Sequence, residues 1–245
     1  MIDIYKNALE NIDLFIIITD LNGNIIYSNN AFSVGLHLNN INKQKIYMYE
    51  HKIYSVKYKT IDNYKYEIYS DITEYETEIN KLKRDYLTNL YNRFAIIENL
   101  EKLRNQNYTL VMGDIDFFKK INDNYGHLVG DYVLKGISDL LVKYIGNKGI
   151  VGRYGGEEFI IVIPTLNVNE SYELIEKIRN LIKETKIKVK YNNCVKEFYI
   201  SMTFGITGSD PNKSINELIG EADKALYIGK RNGRNQTNIY KKDED

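Results

Sequence analysis

The chain has 245 residues, of which 33 are basic and 33 are acidic, so its formal net charge is zero. Binding to nucleic acids or anionic membranes without specific contacts requires a basic surplus, so we expect neither as a partner. The single Cys194 excludes an intrachain disulfide framework and fits a reducing compartment. The longest apolar run near the N-terminus, residues 14–18, is too short to span a membrane, and we expect a cytoplasmic protein.

The first third of the chain has the pattern of an antiparallel sheet. Runs rich in Ile, Val and Tyr are separated by turn sequences, of which the residues from Asp20 to Asn24 and the pair Asp62-Asn63 are the clearest. The predicted elements are, in order, a helix at 2–11, strands at 14–19 and 25–28, a short helix from Asn29, and strands at 46–49, 53–61 and 64–72.

This order of elements, with the turn Asp20-Leu-Asn-Gly-Asn24 and the closing Asp71-Ile-Thr73, resembles a PAS sensor domain. The resemblance implies a short sensor domain over residues 1–73. A small molecule of unknown identity is the ligand to expect there, although residues 36–46 leave little room for the helices that wall the pocket in this family. We interpret His37 and His51 as surface residues rather than as haem or metal ligands.

A charged helix follows this region and connects the two halves of the chain. Its apolar residues are spaced by three, four, three and four positions from Ile72 to Tyr86, which is the pattern of a heptad seam. We predict a helix from Thr73 into Asp85 and beyond, and a signalling linker over residues 74–86 that pairs with its twin in a dimer. The alternative is an amphipathic connector packed on its own chain, and about two heptads leave both open.

The second half is organised around the stretch from Arg153 to Phe159. Strands are predicted at 151–154 and 158–163, joined by a two-residue turn of Gly155 and Gly156 that needs positive φ. Glu157 and Glu158 follow, and neighbouring carboxylates are best explained by a shared cation. The glycines would let a large anionic ligand approach the main chain. The alternative is an ordinary hairpin with two solvated acids.

The pattern around this hairpin predicts an α/β fold of the α+β type. Its core order is βαββαβ, as in ferredoxin-like folds, which gives a mixed sheet with helices on one face. The predicted elements are a helix at 87–104, a strand at 108–115, a helix at 131–145, the hairpin, a helix at 169–184, a hairpin of 187–191 with 197–207, a helix at 215–230 and a strand at 237–240.

The strand before the hairpin ends in alternating carboxylates, Asp114 and Asp116, which a period of two places on one face. If this strand neighbours the hairpin, Asp114 and Glu157 converge at one end of the sheet, with the main-chain oxygen of Ile115 as a further hard ligand. Oxygen ligands select Mg²⁺, with Mn²⁺ as a substitute, and Mg²⁺ characteristically bridges carboxylates to substrate phosphates.

Cations and free amides suitable for phosphate occur at two places. Phe117 and Phe118 turn the chain into a helix, so that their amides and Lys119 face the position where phosphates would lie. Lys230 and Arg234 follow a C-terminal helix and can bind phosphate if the fold returns them to the hairpin. If the fold does not return them there, the alternative is that their positive charges simply interact favourably with the C-terminal end of the helix.

Between these places lies a polar segment that matches a guanine edge. Asn122 can donate and accept hydrogen bonds, and Asp131 offers two acceptors. The alternative for Asp131 is a helix N-cap, and one residue can serve as both. His127 is of the right type for a general base, but its place beside a turn favours a structural role.

Five ordered motifs in residues 85–241 resemble a GGDEF domain, the family of diguanylate cyclases. The resemblance implies a dimer in which each domain presents one GTP, and the two GTP condense to cyclic di-GMP with release of two pyrophosphates. It also implies a cyclase-palm fold and a catalytic domain over residues 87–245. The motifs are Asp85-Tyr-Leu-Thr-Asn-Leu-Tyr-Asn-Arg93, Asp114-Ile-Asp-Phe-Phe-Lys119, Asn122-Asp-Asn-Tyr-Gly-His-Leu-Val-Gly-Asp131, Gly155-Gly-Glu-Glu-Phe159 and Ala222-Asp-Lys-Ala-Leu-Tyr227.

By motif position, the resemblance assigns Mg²⁺ to Asp114, Glu157 and the main-chain oxygen of Ile115. Glu157 would also help to deprotonate the ribose 3′-hydroxyl, with Glu158 as a second acid supporting the metal. Asn122 and Asp131 would select guanine over adenine. The residues assigned to the substrate are Phe117, Phe118, Lys119, Asn122, His127, Asp131, Gly155, Gly156, Lys230 and Arg234.

The sequence departs from the family pattern at four positions where a glycine is either gained or lost. Gly146 and Gly149 stand where the family has the Arg and Asp of an inhibitory product site, so we expect no feedback inhibition there. Asn89 replaces a common Gly, which Asn tolerates because it also visits left-handed φ. Gly229 replaces an Ala inside the last helix at a cost of about 1 kcal/mol, which predicts fraying of that helix end.

Two other functions compete with a PAS-regulated diguanylate cyclase. One is a catalytically inactive module that binds GTP and signals through a partner, which the intact acids at Glu157 and Glu158 argue against. The other is a structural dimerisation module, which leaves the paired acids unexplained.

Overall fold

The computed structural model describes residues 14–29, 45–49, 51–164, 166–191 and 194–242. The helices expected at residues 2–11 and after Asn29, and His37, lie outside these ranges. The chain divides into two compact units, Met1–Leu82 and Lys83–Asp245. No helix in the described ranges combines the length and the apolar composition that a membrane crossing requires.

The first unit contains the expected antiparallel sheet, with the strand order β2-β1-β5-β4-β3. Tyr54, Val56 and Tyr69 form its small apolar cluster. The turn after β1 forms because the Asp20 carboxylate accepts hydrogen bonds from the main-chain nitrogens of Asn22 and Asn24, at 2.9 and 2.8 Å. The strands are β1 (Phe15–Asp20), β2 (Ile25–Ser28), β3 (Ile46–Tyr49), β4 (Lys52–Ile61) and β5 (Tyr64–Asp71).

Helix α1 (Thr73–Leu82) follows the sheet and is shorter than predicted. It starts where the main-chain nitrogen and the hydroxyl of Thr73 both donate to the Asp71 carboxylate, at 3.0 and 2.6 Å. It ends at Leu82 because the next residues make other backbone pairings: the Asn92 nitrogen donates to the Lys83 oxygen at 2.9 Å. The prediction of a helix continuing into Asp85 and beyond was therefore wrong.

The second unit is built on the mixed sheet that the sequence predicted, with the order β13-β12-β7-β9-β8-β6. The pairs β12–β13 and β6–β8 are parallel and the others are antiparallel. Its elements are β6 (Tyr91–Asn92), α2 (Arg93–Lys102), β7 (Thr109–Ile115), α3 (Phe118–Tyr125), α4 (His127–Ile145), a 3₁₀ turn (Gly146–Lys148), β8 (Ile150–Gly155), β9 (Glu158–Ile163), α5 (Val168–Glu184), β10 (Lys186–Tyr191), β11 (Cys194–Tyr199), β12 (Met202–Gly208), α6 (Ile215–Arg231) and β13 (Thr237–Ile239).

Helices cover both faces of this sheet, so the expectation of helices on one face was wrong. Val111 of β7 belongs to a core that includes residues of α4 and α5. Leu110 and Met112, on the opposite face of the same strand, belong to a core that includes residues of α2 and α6. Strands buried on both faces have continuous apolar runs, and all seven residues of β7 are buried.

Two further predicted elements differ from the structure. The helix expected at 87–104 starts only at Arg93, because Asn92 caps it: the Asn92 side chain accepts from the Ala95 nitrogen at 3.0 Å. The strand expected at 197–207 is two strands. β11 pairs with β10 in a separate two-stranded sheet, whereas β12 enters the main sheet between β13 and β7. The break falls at Ile200 and Ser201.

Candidate active site

The ends of β7 and β9 bring the predicted acids together. These strands are antiparallel neighbours, and Asp114 is directly opposite Glu158 in their register. The Ile115 nitrogen donates to the main-chain oxygen of Glu157 at 3.3 Å. Asp114, Glu157 and Glu158 therefore lie at one end of the sheet, as expected if the two strands are neighbours.

Asp114 is the buried member of this group, with 6% of its surface exposed. Its Oδ2 atom lies 2.7 Å from the Nζ atom of Lys230 in α6. Burial raises the pKa of the Asp114 carboxyl to about 6. The hydrogen bond from Lys230 opposes the shift, and the charges of Glu157 and Glu158 add to it. Lys230 is thus the paired cation of Asp114, while two further carboxylates lie close by, which leaves an excess of negative charge around Asp114.

The donors at this sheet end fit a hard divalent cation held jointly with a phosphate ligand. Among the residues that the structure describes, no three His, Cys, Asp or Glu side chains are arranged to hold a metal ion. The protein offers two carboxylates, Asp114 and Glu157, and the main-chain oxygen at Ile115. Mg²⁺ usually takes one or two carboxylates and completes its octahedron with waters and substrate phosphates, so this small oxygen set suits it.

The hairpin turn lies one residue later than predicted. Gly155 belongs to β8 and pairs with Glu158, so Gly156 and Glu157 form the turn. Of the two glycines, Gly156 has the positive φ that the turn was expected to need, of 45°. A shift in register between Arg153 and Gly155 accommodates the extra residue. No atom lies within 4 Å of a Cβ placed on either glycine, so a ligand can approach the main chain.

Arg153 supports the hairpin, a role that the sequence reasoning missed. Its Nε donates to the main-chain oxygen of Gly156 at 2.9 Å, and its Nη1 lies 3.1 Å from the Asp85 carboxylate. Asp85 also accepts from the nitrogen and hydroxyl of Thr88 at 2.9 and 2.7 Å. Burial raises the pKa of Asp85, but these bonds outweigh it and the pKa is lowered. The two residues are 68 positions apart, so local patterns gave no signal.

The loop after β7 presents Phe117 between two cations. Phe117 has a left-handed φ of 58° and precedes α3. The Arg234 guanidinium and the Lys120 ammonium each lie 4.7 Å from the centre of its ring. Phe118 is buried in the core, so its predicted contact with substrate rests on its main-chain amide alone. Lys119 is exposed on the first turn of α3.

Asn122 has an unused acceptor. Its Oδ1 atom is buried and has no hydrogen-bond partner among the described residues. It packs against Gly130, where a Cβ would overlap it. Asp131 is the fifth residue of α4, which starts at His127, so the alternative of an N-cap at Asp131 was wrong. His127 is exposed on the first turn of that helix.

The predicted feedback positions line a cavity of about 610 Å³. Gly146 has a φ of 55°. A Cβ on Gly149 would lie 2.5 Å from the main-chain oxygen of Val162, so any side chain there requires a shift of the backbone. The remaining lining residues include Arg84, Asn89, Asp139 and Lys143.

The C-terminal end of α6 stays helical, although fraying was predicted there. α6 continues to Arg231. Gly229 is needed because a Cβ would overlap the side chains of Thr203 and Asn238. Its main-chain oxygen accepts from the Arg234 nitrogen at 3.0 Å, which ties the following turn to the helix.

Comparison with known proteins gives a consistent result for the second unit. Residues 82–236 match the family model described as "Diguanylate cyclase, GGDEF domain". The probable diguanylate cyclase DgcF of Escherichia coli K12 is 34% identical over 169 residues, which are 66% of this chain and 52% of that protein. The chain thus spans about half the length of that curated relative.

Solved structures agree with this match. The coiled coil and GGDEF domain of DgcB from Caulobacter crescentus, solved in complex with c-di-GMP, aligns with a TM-score of 0.63 at 27% identity, covering 68% of this chain and 90% of that one. The active GGEEF domain of a diguanylate cyclase from Vibrio cholerae aligns with a TM-score of 0.51 at 34% identity, covering 60% and 91%.

Proposed function

Because the chain belongs to the diguanylate cyclase GGDEF-domain family, we propose that it condenses two GTP to cyclic di-GMP and two pyrophosphates. The observation that carries this proposal is the convergence of Asp114, Glu157, Glu158 and Lys230 at one sheet end. Each ribose 3′ oxygen attacks the α-phosphorus of the other nucleotide, the bond to pyrophosphate breaks, and the hydroxyl proton passes to Glu157.

The chain's own residues supply the metal ligands in this proposal. Asp114, Glu157 and the Ile115 main-chain oxygen would hold Mg²⁺, with Mn²⁺ as a substitute, and Glu158 supports them. When bound, the cation neutralises charge on the phosphates. The excess of negative charge around Asp114 supports this assignment.

Guanine recognition is proposed for the α3–α4 segment. The unused Oδ1 acceptor of Asn122 matches the N1–H and N2–H₂ donors of guanine, and adenine lacks donors at these positions. Asp131 supplies further acceptors, and His127 lies on the same segment. The open space beside Gly155 and Gly156 admits the nucleotide.

The triphosphate is proposed to bind the cations around the loop after β7. These are Lys119, Lys230 and Arg234, together with the main-chain amides of Phe117 and Phe118. The approach of Arg234 to the Phe117 ring supports this grouping, because it brings the C-terminal turn beside the loop that starts α3.

The remaining parts of the proposal concern organisation. The second unit of each chain would present one GTP, so activity requires a homodimer. Residues 1–73 would be a PAS-like sensor, residues 74–86 a linker and residues 87–245 the catalytic domain. The antiparallel sheet of the first unit supports the sensor, and the helix α1 (Thr73–Leu82) supports a linker as far as Leu82, after which Lys83 begins the second compact unit.

The direct test is to incubate the purified chain with GTP and Mg²⁺ and to quantify cyclic di-GMP and pyrophosphate. Glu157→Gln should lower turnover by at least about a hundredfold, because a general base contributes about 10²–10⁴ in rate. The matched control is Glu173→Gln, an exposed glutamate of α5, which should retain wild-type turnover. Tight GTP binding without pyrophosphate release, in confirmed dimers, would instead favour a GTP-binding regulatory module.

A second prediction concerns control by product. Because Gly146 and Gly149 carry no side chains that could bind it, added cyclic di-GMP should not inhibit through this cavity. Initial rates with and without micromolar product should agree within error. Strong inhibition that persists after substitution of Arg84 and Lys143 at the cavity, with Gly220→Ala as a remote control, would place a feedback site elsewhere.

A further inference from the structure

Asp116 is a buried carboxylate close to the acid cluster, but its partners differ from those of Asp114. It is 5% exposed and lies one residue beyond the end of β7. Its Oδ2 accepts from the Ser201 hydroxyl at 2.6 Å, and its Oδ1 accepts from the Thr203 hydroxyl at 2.7 Å. Oδ2 also accepts from the main-chain nitrogen of Asn235 at 3.0 Å. These contacts leave Asp116 occupied by protein donors.

The hydrogen bond from the Asn235 nitrogen to Asp116 stabilises a turn with an unusual backbone conformation. Gly233, Arg234 and Asn235 have consecutive left-handed φ values of 107°, 65° and 45°. A left-handed arginine is unfavourable without support, so surrounding contacts must fix this conformation. The nitrogen of Asn235 is shared between Asp116 and the Thr203 hydroxyl, the latter at 2.9 Å.

A second contact fixes the same turn from α5. The Nη1 atom of Arg179 donates to the Asn235 side-chain oxygen at 2.7 Å. Arg179 is itself held by Glu176 through two bonds of 2.7 and 2.8 Å, and its side chain is 12% exposed. A bidentate pair of this kind orients a guanidinium well. The turn is thus clamped by Asp116 on one side and Arg179 on the other.

Asp116 also fixes the loop that leads from β7 into α3. Its main-chain nitrogen donates to the Ser201 oxygen at 3.0 Å, and the next residue is the left-handed Phe117. The Arg234 guanidinium lies over the Phe117 ring. One residue therefore fixes both the loop that starts α3 and the turn that carries Arg234.

We infer that Asp116 and Arg179 are positioning residues that hold Arg234 at the triphosphate of the bound nucleotide. This inference rests on the proposed function for the identity of the nucleotide, GTP. Asp116 acts through Arg234 and is not one of the proposed metal ligands, because three protein donors already occupy most of its about four lone-pair sites.

The test is a double-mutant cycle of Asp116→Asn and Arg234→Ala in the full chain. Asp116→Asn removes the negative charge that strengthens the bond from the Asn235 nitrogen. When the new amide N–H₂ takes the Oδ2 position it also faces that nitrogen, donor against donor, so the turn is weakened. We expect each single variant to raise the KM for GTP and the calorimetric Kd for GTP about ten- to hundredfold, the usual range for a charged hydrogen bond. The double variant should be no worse than Arg234→Ala alone.

The control uses the same carboxylate. Ser201→Ala removes a donor to Asp116 that does not belong to the turn, so it should lower the Tm but leave the KM within about twofold. If Asp116→Asn does not fold, Asn235→Gly removes the Arg179 contact, keeps the left-handed backbone and should raise the KM in the same direction. The inference that Asp116 and Arg179 position Arg234 would be wrong if the effects in the cycle are additive. It would also be wrong if the KM is unchanged in folded Asp116→Asn or Asn235→Gly.

Failure of the proposed function gives a different result. The wild-type chain could bind GTP without making cyclic di-GMP, and Asp116→Asn could weaken that binding. This result would contradict the proposed cyclase activity but support the positioning of Arg234 by Asp116. Normal cyclase activity in the wild type, together with additive effects of Asp116→Asn and Arg234→Ala, would contradict only the positioning of Arg234.

Discussion

Asp114 is a residue whose charged form lowers the stability of the folded protein. Its carboxyl is almost fully buried beside two other acids, and Lys230 compensates it only in part. Folding therefore favours the protonated form of Asp114. Functional groups are often held in such unfavourable surroundings, because the binding or chemistry that they serve requires the charge.

The sign of this effect can be measured. The ordinary pKa of the carboxyl is 3.8 and the folded value is about 6, so between these values the folded state binds more protons than the unfolded state. Asp114 therefore lowers stability as the pH rises from 4 to 6, by on the order of 3 kcal/mol at most. Without divalent cations, Asp114→Asn should raise the Tm by several degrees at pH 7.5.

The comparison across pH is the control for this prediction. At pH 4 the wild-type carboxyl is largely protonated in the folded state, so the advantage of Asp114→Asn should nearly vanish. Thermal unfolding at both pH values, followed by circular dichroism, checks this expectation. An equal Tm difference at pH 4 and pH 7.5 would mean that the charge of Asp114 is not the cause.

Residue types could be predicted from the sequence more reliably than residue partners. The acids Asp114 and Glu157 were expected at one sheet end if their strands are neighbours, because strand adjacency is a simple geometric rule. The partners of Asp116 and Arg153 depend on contacts between residues far apart in the chain, at 119 positions for Asp116 and Asn235. No local pattern contains that information.

Among the elements, β12 and α6 make an unusually close contact. A Cβ on Gly205 of β12 would overlap the Ala222 oxygen and the Leu226 nitrogen of α6, so the strand and helix backbones touch. α6 carries Lys230, and β12 pairs with β7, which carries Asp114. This contact therefore sets the separation of the Lys230–Asp114 pair.

A pair of glycine substitutions tests this packing. Gly205→Ala should destabilise the fold by about 1–3 kcal/mol or more, because the backbones must separate. Gly220→Ala, in the same helix α6 with no atom within 4 Å of the added Cβ, should be neutral or stabilise by about 0.5–1 kcal/mol. Urea unfolding of both variants measures the difference. Equal destabilisation of the two would refute the role assigned to Gly205.

The elements that were mispredicted share one cause. The end of α1 at Leu82, the break between β11 and β12, and the intact end of α6 all depend on pairings outside the local segment. Gly229 illustrates this: propensity predicts fraying, but the missing side chain makes room for Thr203 and Asn238. Strongly patterned segments such as β7 and α5 were predicted to within one residue at each end.

At the level of the whole molecule, the proposed reaction needs two copies of the chain. The second unit offers one sheet end with one set of acids, whereas cyclic di-GMP contains two nucleotides. In the proposed reaction each copy activates only its own GTP, so the two sites would have to face each other. Activity should then depend on assembly as well as on the residues of each site.

Dilution provides the test of this dependence. Specific activity should fall as the protein is diluted through the dissociation constant of the dimer, because the fraction of paired sites falls. Sedimentation velocity over the same concentrations supplies the dimer fraction, and the two curves should coincide. Constant specific activity in samples that sediment as monomers would contradict a two-copy reaction.

The spacing of the Asp114–Lys230 pair along the chain also has a consequence during protein synthesis. The 116 residues from Asp114 to Lys230 take about 6–23 s to translate at about 5–20 residues per second. During that interval the nascent sheet contains the acids without their cation. We expect the end of β7 to remain hydrated and unpacked on the ribosome until α6 emerges, so this end of the sheet should be among the last parts of the unit to become protected from solvent.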